Sequence, residues 1–293
     1  MKHYIFCLLL MLSFSVVQGQ YYGVLGHRQT VSLTGAEAWN AKVGSEGFGQ
    51  VSGGNLTDIT TLYDALIAAE GTPGDIIAVY IHAQDGSEGA GFVNLMDPEN
   101  YQCTETGNIV WTSDQGIETA TSATNYYNTG INPTTAGMAT GDAFLGVYSA
   151  PLVINENVYY LGTANAGGNL YLGHYRTVSK RIANISNNRL SNQAVNHSGT
   201  GWDSNHFFGM SITGTGTTQT DIYIDGTDIS SPSFGASSLA NDDIWIGAIN
   251  NTFPTTPAHT GNIAVTIIAM GLTATEVADV SSAIDTYVAT TSF

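Results

Sequence analysis

The chain has 293 residues, with 24 acidic side chains against 7 basic ones and a formal net charge of −17. A surface of that sign repels phosphate backbones and anionic headgroups, which excludes nucleic acid and anionic membranes as partners. Only 11% of residues are charged, while Gly, Thr, Ser, Asn and Tyr are abundant, so many short strands joined by polar turns are favoured over long amphipathic helices.

Lys2 and His3 precede an apolar run from Ile5 to Leu12, followed by Ser-Phe-Ser-Val-Val-Gln-Gly19. The run is too short to span a bilayer, so residues 1–19 read as a secretory signal peptide cleaved after Gly19. No later segment has the length and hydrophobicity of a membrane span, and the protein is expected to be secreted or held at a cell surface. Cleavage leaves Cys103 as the sole cysteine. With no disulfide possible within the chain, the fold must rest on its core.

Three helices are expected. Thr34-Gly-Ala-Glu37 has capping-box spacing and opens a short helix from Ala36 to Val43 that carries Trp39. Asn55 or Thr57 can cap the second, where Ile59, Leu62, Tyr63, Leu66 and Ile67 share one face until Gly71-Thr-Pro-Gly stops it. A second capping box, Thr273 with Glu276, opens the C-terminal helix. Its stripe of Val277, Val280, Ile284, Tyr287 and Val288 should lie against a sheet.

Elsewhere the period is two. Strands are expected at Asp75–His82, Phe144–Tyr148, Asn157–Leu161, Asn169–His174, Phe207–Thr213, Thr220–Gly226, Asp243–Ile249 and Asn262–Met270. Asp85-Gly, Asn165-Ala-Gly-Gly and Asp225-Gly favour tight reversals. Ala183 to Gly201 reads as a loop or an exposed edge. The fold class that follows is mainly β: a two-sheet antiparallel jelly-roll sandwich, with two N-terminal helices and one C-terminal helix packed on it. The divisions are a signal peptide at 1–19, a helical N-terminal segment at 20–75, and the sandwich with its C-terminal helix at 76–293.

Tyr223-Ile-Asp225-Gly226, after a strand ending in Ser-Ile-Thr, resembles the hairpin of laminin-G and concanavalin A-like sandwich domains. Further motifs are Trp39, Gly53-Gly54, Tyr127-Asn-Thr-Gly130-Ile-Asn-Pro133, Ile246-Gly-Ala-Ile-Asn250 and Gly271-Leu-Thr-Ala-Thr-Glu276. In order and spacing they are similar to domains of bacteriophage structural proteins and secreted bacterial proteins. The resemblance spans about residues 36 to 290. It implies a jelly-roll sandwich, with glycan binding or a structural role on a cell or virion surface.

Glycan cleavage needs two carboxylates flanking the scissile bond. The Glu-x-Asp-x-x-Glu run of the glucanase branch is absent, and Asp221-Ile-Tyr-Ile-Asp225 is its nearest approach. Asp225 is explained by the turn before Gly226, so no catalytic residue is assigned and a polysaccharide hydrolase or lyase is a remote alternative. Ser211 lacks a nucleophile elbow, Cys103 has no adjacent base, and His82, His174 and His206 lack paired metal-ligand spacing. Ca2+ is the one candidate ion, for which Asp85, Glu88, Asp242 and Asp243 supply hard oxygens. Asp97 and Asn241 stand near them in sequence.

The aromatic doublets Tyr21-Tyr22, Tyr126-Tyr127, Tyr159-Tyr160 and Phe207-Phe208 are more pointed. Neighbours on a strand face opposite ways, so each doublet can place one ring in the core and one outside. An outer ring can stack on a sugar while Asn or Asp binds its hydroxyls. Tyr126, Tyr127, Asn128, Trp202 and Asp203 are the candidate ligand-binding residues. The reading is a non-catalytic, lectin-like surface-binding or adhesion module, with a glycan or cell-surface component as partner. Self-assembly, with Cys103 linking neighbours, is the alternative.

Overall fold

The computed structural model describes residues 33, 35–72, 74–119, 124–150, 158–165, 168–175, 181–183, 194–196, 205–214, 220–229, 239–251 and 261–293. The signal-like segment, Tyr21-Tyr22, Trp202 and Asp203 lie outside them. All elements below belong to one unit, Thr34–Phe293. Among the described residues there are three α-helices, α1 (Gly35–Ser45), α2 (Gly53–Ala69) and α3 (Ala274–Val288), one 3-10 turn (Glu88–Phe92), and sixteen strands.

The first sheet contains β1 (Ile76–Ile81), β3 (Ile109–Thr112), β4 (Gly116–Thr119), β6 (Ala143–Ser149), β11 (His206–Ile212), β12 (Thr220–Ile224), β13 (Thr227–Asp228) and β16 (Asn262–Ala269). Its order is β13-β12-β11-β6-β16-β4-β3, with β1 also paired to β16. The second contains β2 (Thr104–Thr106), β5 (Tyr126–Asn128), β7 (Val158–Asn165), β8 (Gly168–Tyr175), β9 (Arg181–Ala183), β10 (Ala194–Asn196), β14 (Trp245–Ile246) and β15 (Asn250–Asn251). Its order is β10-β9-β8-β7-β14-β5-β2, and β15 lies parallel to β7. The remaining pairings are antiparallel, giving a mainly β sandwich. The stretch expected to be a loop or edge, Ala183 to Gly201, supplies the edge strand β10, which pairs with β9.

Two cores divide the side chains of the first sheet. Leu145 and Val147 of β6 and Phe208, Met210 and Ile212 of β11 meet Tyr127, Tyr160, Leu170 and Leu172 of the second sheet. Phe144, Phe207, Val265 and Ile267 point the other way and pack with Trp39, Ile59, Leu62, Leu66, Val277, Val280 and Ile284 of the helices. Because both faces of this sheet are covered, β1, β6 and β16 read as near-continuous apolar runs without clean alternation. Each large apolar side chain fully buried contributes about 1.5–3 kcal/mol of transfer free energy.

The helices show what local chemistry controls. In α3, the Glu276 amide donates to Thr273 Oγ1 at 3.4 Å and the Thr273 amide to Glu276 Oε2 at 2.6 Å, which closes the expected capping box. All five residues of the expected stripe are buried. Thr273→Ala should therefore cost about 1 kcal/mol in urea denaturation, and an unchanged midpoint would show that the box adds nothing. In α2 the cap is Ser52, whose hydroxyl accepts from the Asn55 amide at 3.3 Å, so Asn55 and Thr57 lie inside the helix. Ile67, expected on the buried face, is 44% exposed, and Ala69 is buried in the α2 stripe. Trp39 donates its Nε1–H to the Val93 carbonyl at 2.9 Å, tying α1 to the segment after the 3-10 turn.

Asp225 and Gly226 turn β12 into β13 with φ of 48° and 71°. Two successive positive φ values form the turn that matches strand twist, which is why Asp-Gly stands there. Asp225 also accepts from the Phe207 amide at 2.9 Å and from the His206 ring at 2.6 Å. Cys103 does not present a thiol for linking neighbours. It is 5% exposed within the inter-sheet core, and burial pushes its pKa well up.

A candidate ligand-binding face

Alternation on the second sheet decides which aromatic rings reach its outer face. Tyr127 of β5 points into the sandwich and is 0% exposed. Its hydroxyl donates to Glu88 Oε1 at 2.6 Å, and its ring meets Phe92 edge-on at 4.9 Å. Tyr127, expected among the ligand-binding residues, is therefore a core residue and offers no face to a sugar. Tyr126, its neighbour, turns outward and stays half-buried.

Trp245 joins Tyr126 there. Ile246 enters the inter-sheet core, so Trp245 must face away from it. The Tyr126 and Trp245 rings stack with centroids 3.6 Å apart and planes 6° from parallel. Trp245 pairs with Asn128 on one side and with Gly162 on the other, and Gly162 pairs with Tyr171. Asn128, Trp245, Gly162 and Tyr171 thus form a row across four strands. The two rings of the row stand two strand spacings apart, about 9.6 Å, with a residue lacking a side chain between them. Tyr171, 9% exposed, packs with Ala164 and Ile249, and Tyr159 meets it edge-on at 5.4 Å.

Gly162 is set by geometry. Its φ is +147°, and a Cβ there would lie 2.3–2.5 Å from Tyr171 Cβ, Tyr171 Cα and the Leu170 carbonyl oxygen. The register slips between Tyr159 and Leu161 just before it.

Polar groups border one end of the row. Asn128 Nδ2 donates to Asp243 Oδ2 at 3.3 Å, and Asn128 Oδ1 accepts from the Gly130 amide at 3.0 Å. Asn250 Nδ2 donates to the Asp243 carbonyl at 2.9 Å, and Asn165 Nδ2 to Asp242 Oδ2 at 2.9 Å. These carboxylates and carboxamides are half-buried. The Nε1–H of Trp245 is buried with no hydrogen-bond partner among the described residues. The comparable groups of Trp39 and Trp111 donate to the Val93 and His82 carbonyls at 2.9 Å.

The four carboxylates considered for Ca2+ do not converge. Asp85 accepts from the Ser52 amide at 2.9 Å at the start of α2, and Glu88 is engaged by Tyr127. Asp242 is held by Asn165 at the end of β7 and Asp243 by Asn128 of β5. No group of three or more His, Cys, Asp or Glu side chains among the described residues is arranged to hold a metal ion. No helix among them is long and apolar enough to cross a membrane.

One buried histidine belongs to the sandwich interior. His82 lies between the Tyr80 ring, 6.5 Å away and near parallel, and the Tyr127 ring at 5.7 Å. Its Nε2 is 3.4 Å from Thr266 Oγ1, and burial pushes its pKa down to about 3.

Of the residues expected at the site, Tyr126 and Asn128 are brought together on this face, with Asp242 and Asp243 beside them. Trp245, Gly162, Tyr171 and Asn165 were not among the expected residues. The alternation of Asp243 and Trp245 with Ile244 and Ile246 was a readable signal for Trp245. Nothing in the sequence states the register that brings Gly162 and Tyr171 alongside it.

No family model matches the sequence, and no curated protein matches it. Solved structures match it in fold. A mutant of Trypanosoma rangeli sialidase displaying trans-sialidase activity aligns with a TM-score of 0.52 at 10% identity, covering 80% of this chain and 38% of that one. Trypanosoma rangeli sialidase in complex with sialic acid aligns with a TM-score of 0.51 at 10% identity, covering 73% and 34%. A looser match, with a TM-score of 0.42 at 10% identity, is domain 4 of AbnA, a GH43 extracellular arabinanase from Geobacillus stearothermophilus, in complex with arabinotriose; it covers 71% of this chain and 98% of that one. The chain spans less than two fifths of the length of the two sialidase chains. At this identity the sialidase likeness shows the sandwich fold.

Proposed function

We propose that the protein is a secreted, non-catalytic glycan-binding module, and that the outer face of the second sheet is its binding surface. The observation that carries this reading is the register row in which Trp245 and Tyr171 flank Gly162 beside a carboxamide and carboxylate cluster. Aromatic faces shed water against the C–H face of a sugar, and directional polar groups fix its hydroxyls. In this reading Trp245 and Tyr126 provide the stacking surface, Tyr159 the opposite wall with the buried Tyr171 behind it, and Asn128, Asn165, Asp242 and Asp243 the hydroxyl contacts. The signal-like segment at 1–19 supports secretion, and a sialidase bound to sialic acid is in keeping with a fold used by glycan-active proteins.

Binding without cleavage is in keeping with the state of Asp225, the end of the sequence run that comes nearest to the glucanase pattern. Both oxygens of Asp225 are engaged, one by the His206 ring and one by the Phe207 amide. That leaves it poorly placed as an acid or nucleophile.

Isothermal titration with a panel of oligosaccharides tests the reading. Trp245→Ala should lower affinity about thirtyfold or more, the effect of losing a central aromatic anchor, while the melting temperature stays near that of the parent. Equal affinity in the variant, or no binding by the parent to any member, would overturn it.

A further inference from the structure

We propose that the groove between α2 and α3 is a second ligand site, one that takes an extended alkyl diamine or polyamine. It lies on the helical layer over the first sheet, remote from the glycan face of the second. The two helices run antiparallel. Gly71, just past the end of α2, lies against Glu276 in the first turn of α3, while the charge of Asp58, early in α2, is felt at the Tyr287 hydroxyl near the end of α3. On their solvent side they enclose a groove of about 360 Å³, within the range of about 300–1,000 Å³ for small-molecule pockets. Its floor is apolar and buried, made by Leu62, Ala69, Ala283 and Tyr287. Ala65 and Ala68 line it from α2, and their short side chains keep it open.

The polar groups in the lining are of a kind that receives donors. Asp58 and Asp279 are carboxylates. Thr61, Thr286 and Thr290 already donate their hydroxyl protons to the Thr57, Ser282 and Tyr287 carbonyls, at 3.1, 2.8 and 2.7 Å, and turn only lone pairs to a ligand. Neither helix contains Lys or Arg. The matching ligand is a cationic donor with an apolar body. An ammonium group has three N–H donors and no acceptor, and its alkyl stem can lie along an apolar floor while the head stays hydrated.

The two carboxylates set the length. Asp279 stands eight residues before Tyr287, about 12 Å of helix, so the charges sit at opposite ends of the groove. One ammonium can serve only one of them. 1,8-Diaminooctane and spermidine each place nine bonds between their terminal nitrogens, about 11 Å at about 1.2 Å per bond of an extended chain. 1,5-Diaminopentane reaches about 7 Å by the same measure and falls short.

Isothermal titration of the protein with these three amines and with 1-aminooctane tests the proposal. 1,8-Diaminooctane should bind about three- to fivefold tighter than 1-aminooctane, the gain from a second exposed ion pair, and tighter than 1,5-diaminopentane by at least as much. Spermidine, of equal length, should also bind tighter than 1,5-diaminopentane. Asp58→Asn and Asp279→Asn should each bring 1,8-diaminooctane down to the level of the monoamine. Ala65→Leu fills the groove at constant charge and should weaken 1,8-diaminooctane about tenfold, the loss of about two methylene contacts, with the melting temperature held. Affinities that show no preference for length and no response to Ala65→Leu would mean general attraction to an acidic protein, and would overturn the proposal. No binding by any of the four amines would also overturn it. A dimer in sedimentation that Ala65→Leu dissociates would give the groove to a second copy of the chain, with the same consequence.

Discussion

Gly162→Ala is expected to lower stability by about 3 kcal/mol or more in guanidinium denaturation, and to abolish glycan binding in whatever fraction stays folded. The added methyl would stand 2.3 Å from Tyr171 Cβ and 2.5 Å from the Leu170 carbonyl oxygen, atoms fixed to the backbone of β8. No side-chain rotation relieves that contact, so β7 and β8 must part or Gly162 must leave its φ of +147°. Overpacking costs about 1–3 kcal/mol and a forced backbone conformation about as much again. The binding loss has a separate cause. Parting β7 from β8 moves Tyr171 away from Trp245 and dissolves the row. A variant within 1 kcal/mol of the parent would show that these strands readjust freely and that the row is not rigidly spaced.

Acid should destabilise the protein through His82. Its folded pKa is depressed to about 3, against 6.5 for the free side chain. Between those values the unfolded chain binds a proton that the folded chain does not. Stability therefore rises with pH through this window and falls as pH drops. From pH 7 to pH 4 the loss from this one group is about 3 kcal/mol. Glu88 and Asp285 act in the opposite sense. Burial raises both carboxyls, and the neighbouring Asp225 raises Asp285 further, so the folded state takes up their protons first. Comparison with His82→Gln isolates the histidine: stability of the variant should fall about 3 kcal/mol less over the same pH span, whatever the substitution costs at pH 7. Parallel curves for the two proteins would mean that the His82 ring takes up its proton in the folded state.

How far the sequence could be read depends on the range of the interaction involved. Local chemistry was legible. The Thr273 and Glu276 box, the buried stripe of α3, and the Asp225-Gly226 reversal involve residues within about a turn of one another. Longer-range facts were legible only in part. Tyr126-Tyr127 announced one ring inward and one outward, but which goes where depends on the pairing of β5 with β14. Phe207-Phe208 shows the limit of that logic: both rings are buried, because the helices expected to pack on the sandwich cover the outer face of the first sheet. Ser52 was missed as the cap of α2 because Asn55 and Thr57 are equally good capping residues by type. The site suffered most. Trp245, Gly162 and Tyr171 are far apart in sequence and meet only through register, and Asp85 and Glu88 were separated from Asp242 and Asp243 by the same cause.

The central claim is that a glycan docks on the outer face of the second sheet at Trp245. The most direct test is the indole N–H region of a nitrogen-15 correlation spectrum during oligosaccharide titration. The chain has four tryptophans, and the indole N–H groups of Trp39 and Trp111 are already held by backbone carbonyls. The Trp245 signal, assigned by its loss in Trp245→Phe, should shift progressively with ligand while those of Trp39 and Trp111 stay in place. A saturating ligand that leaves the Trp245 signal unmoved, or that shifts Trp202 in its stead, would contradict the account.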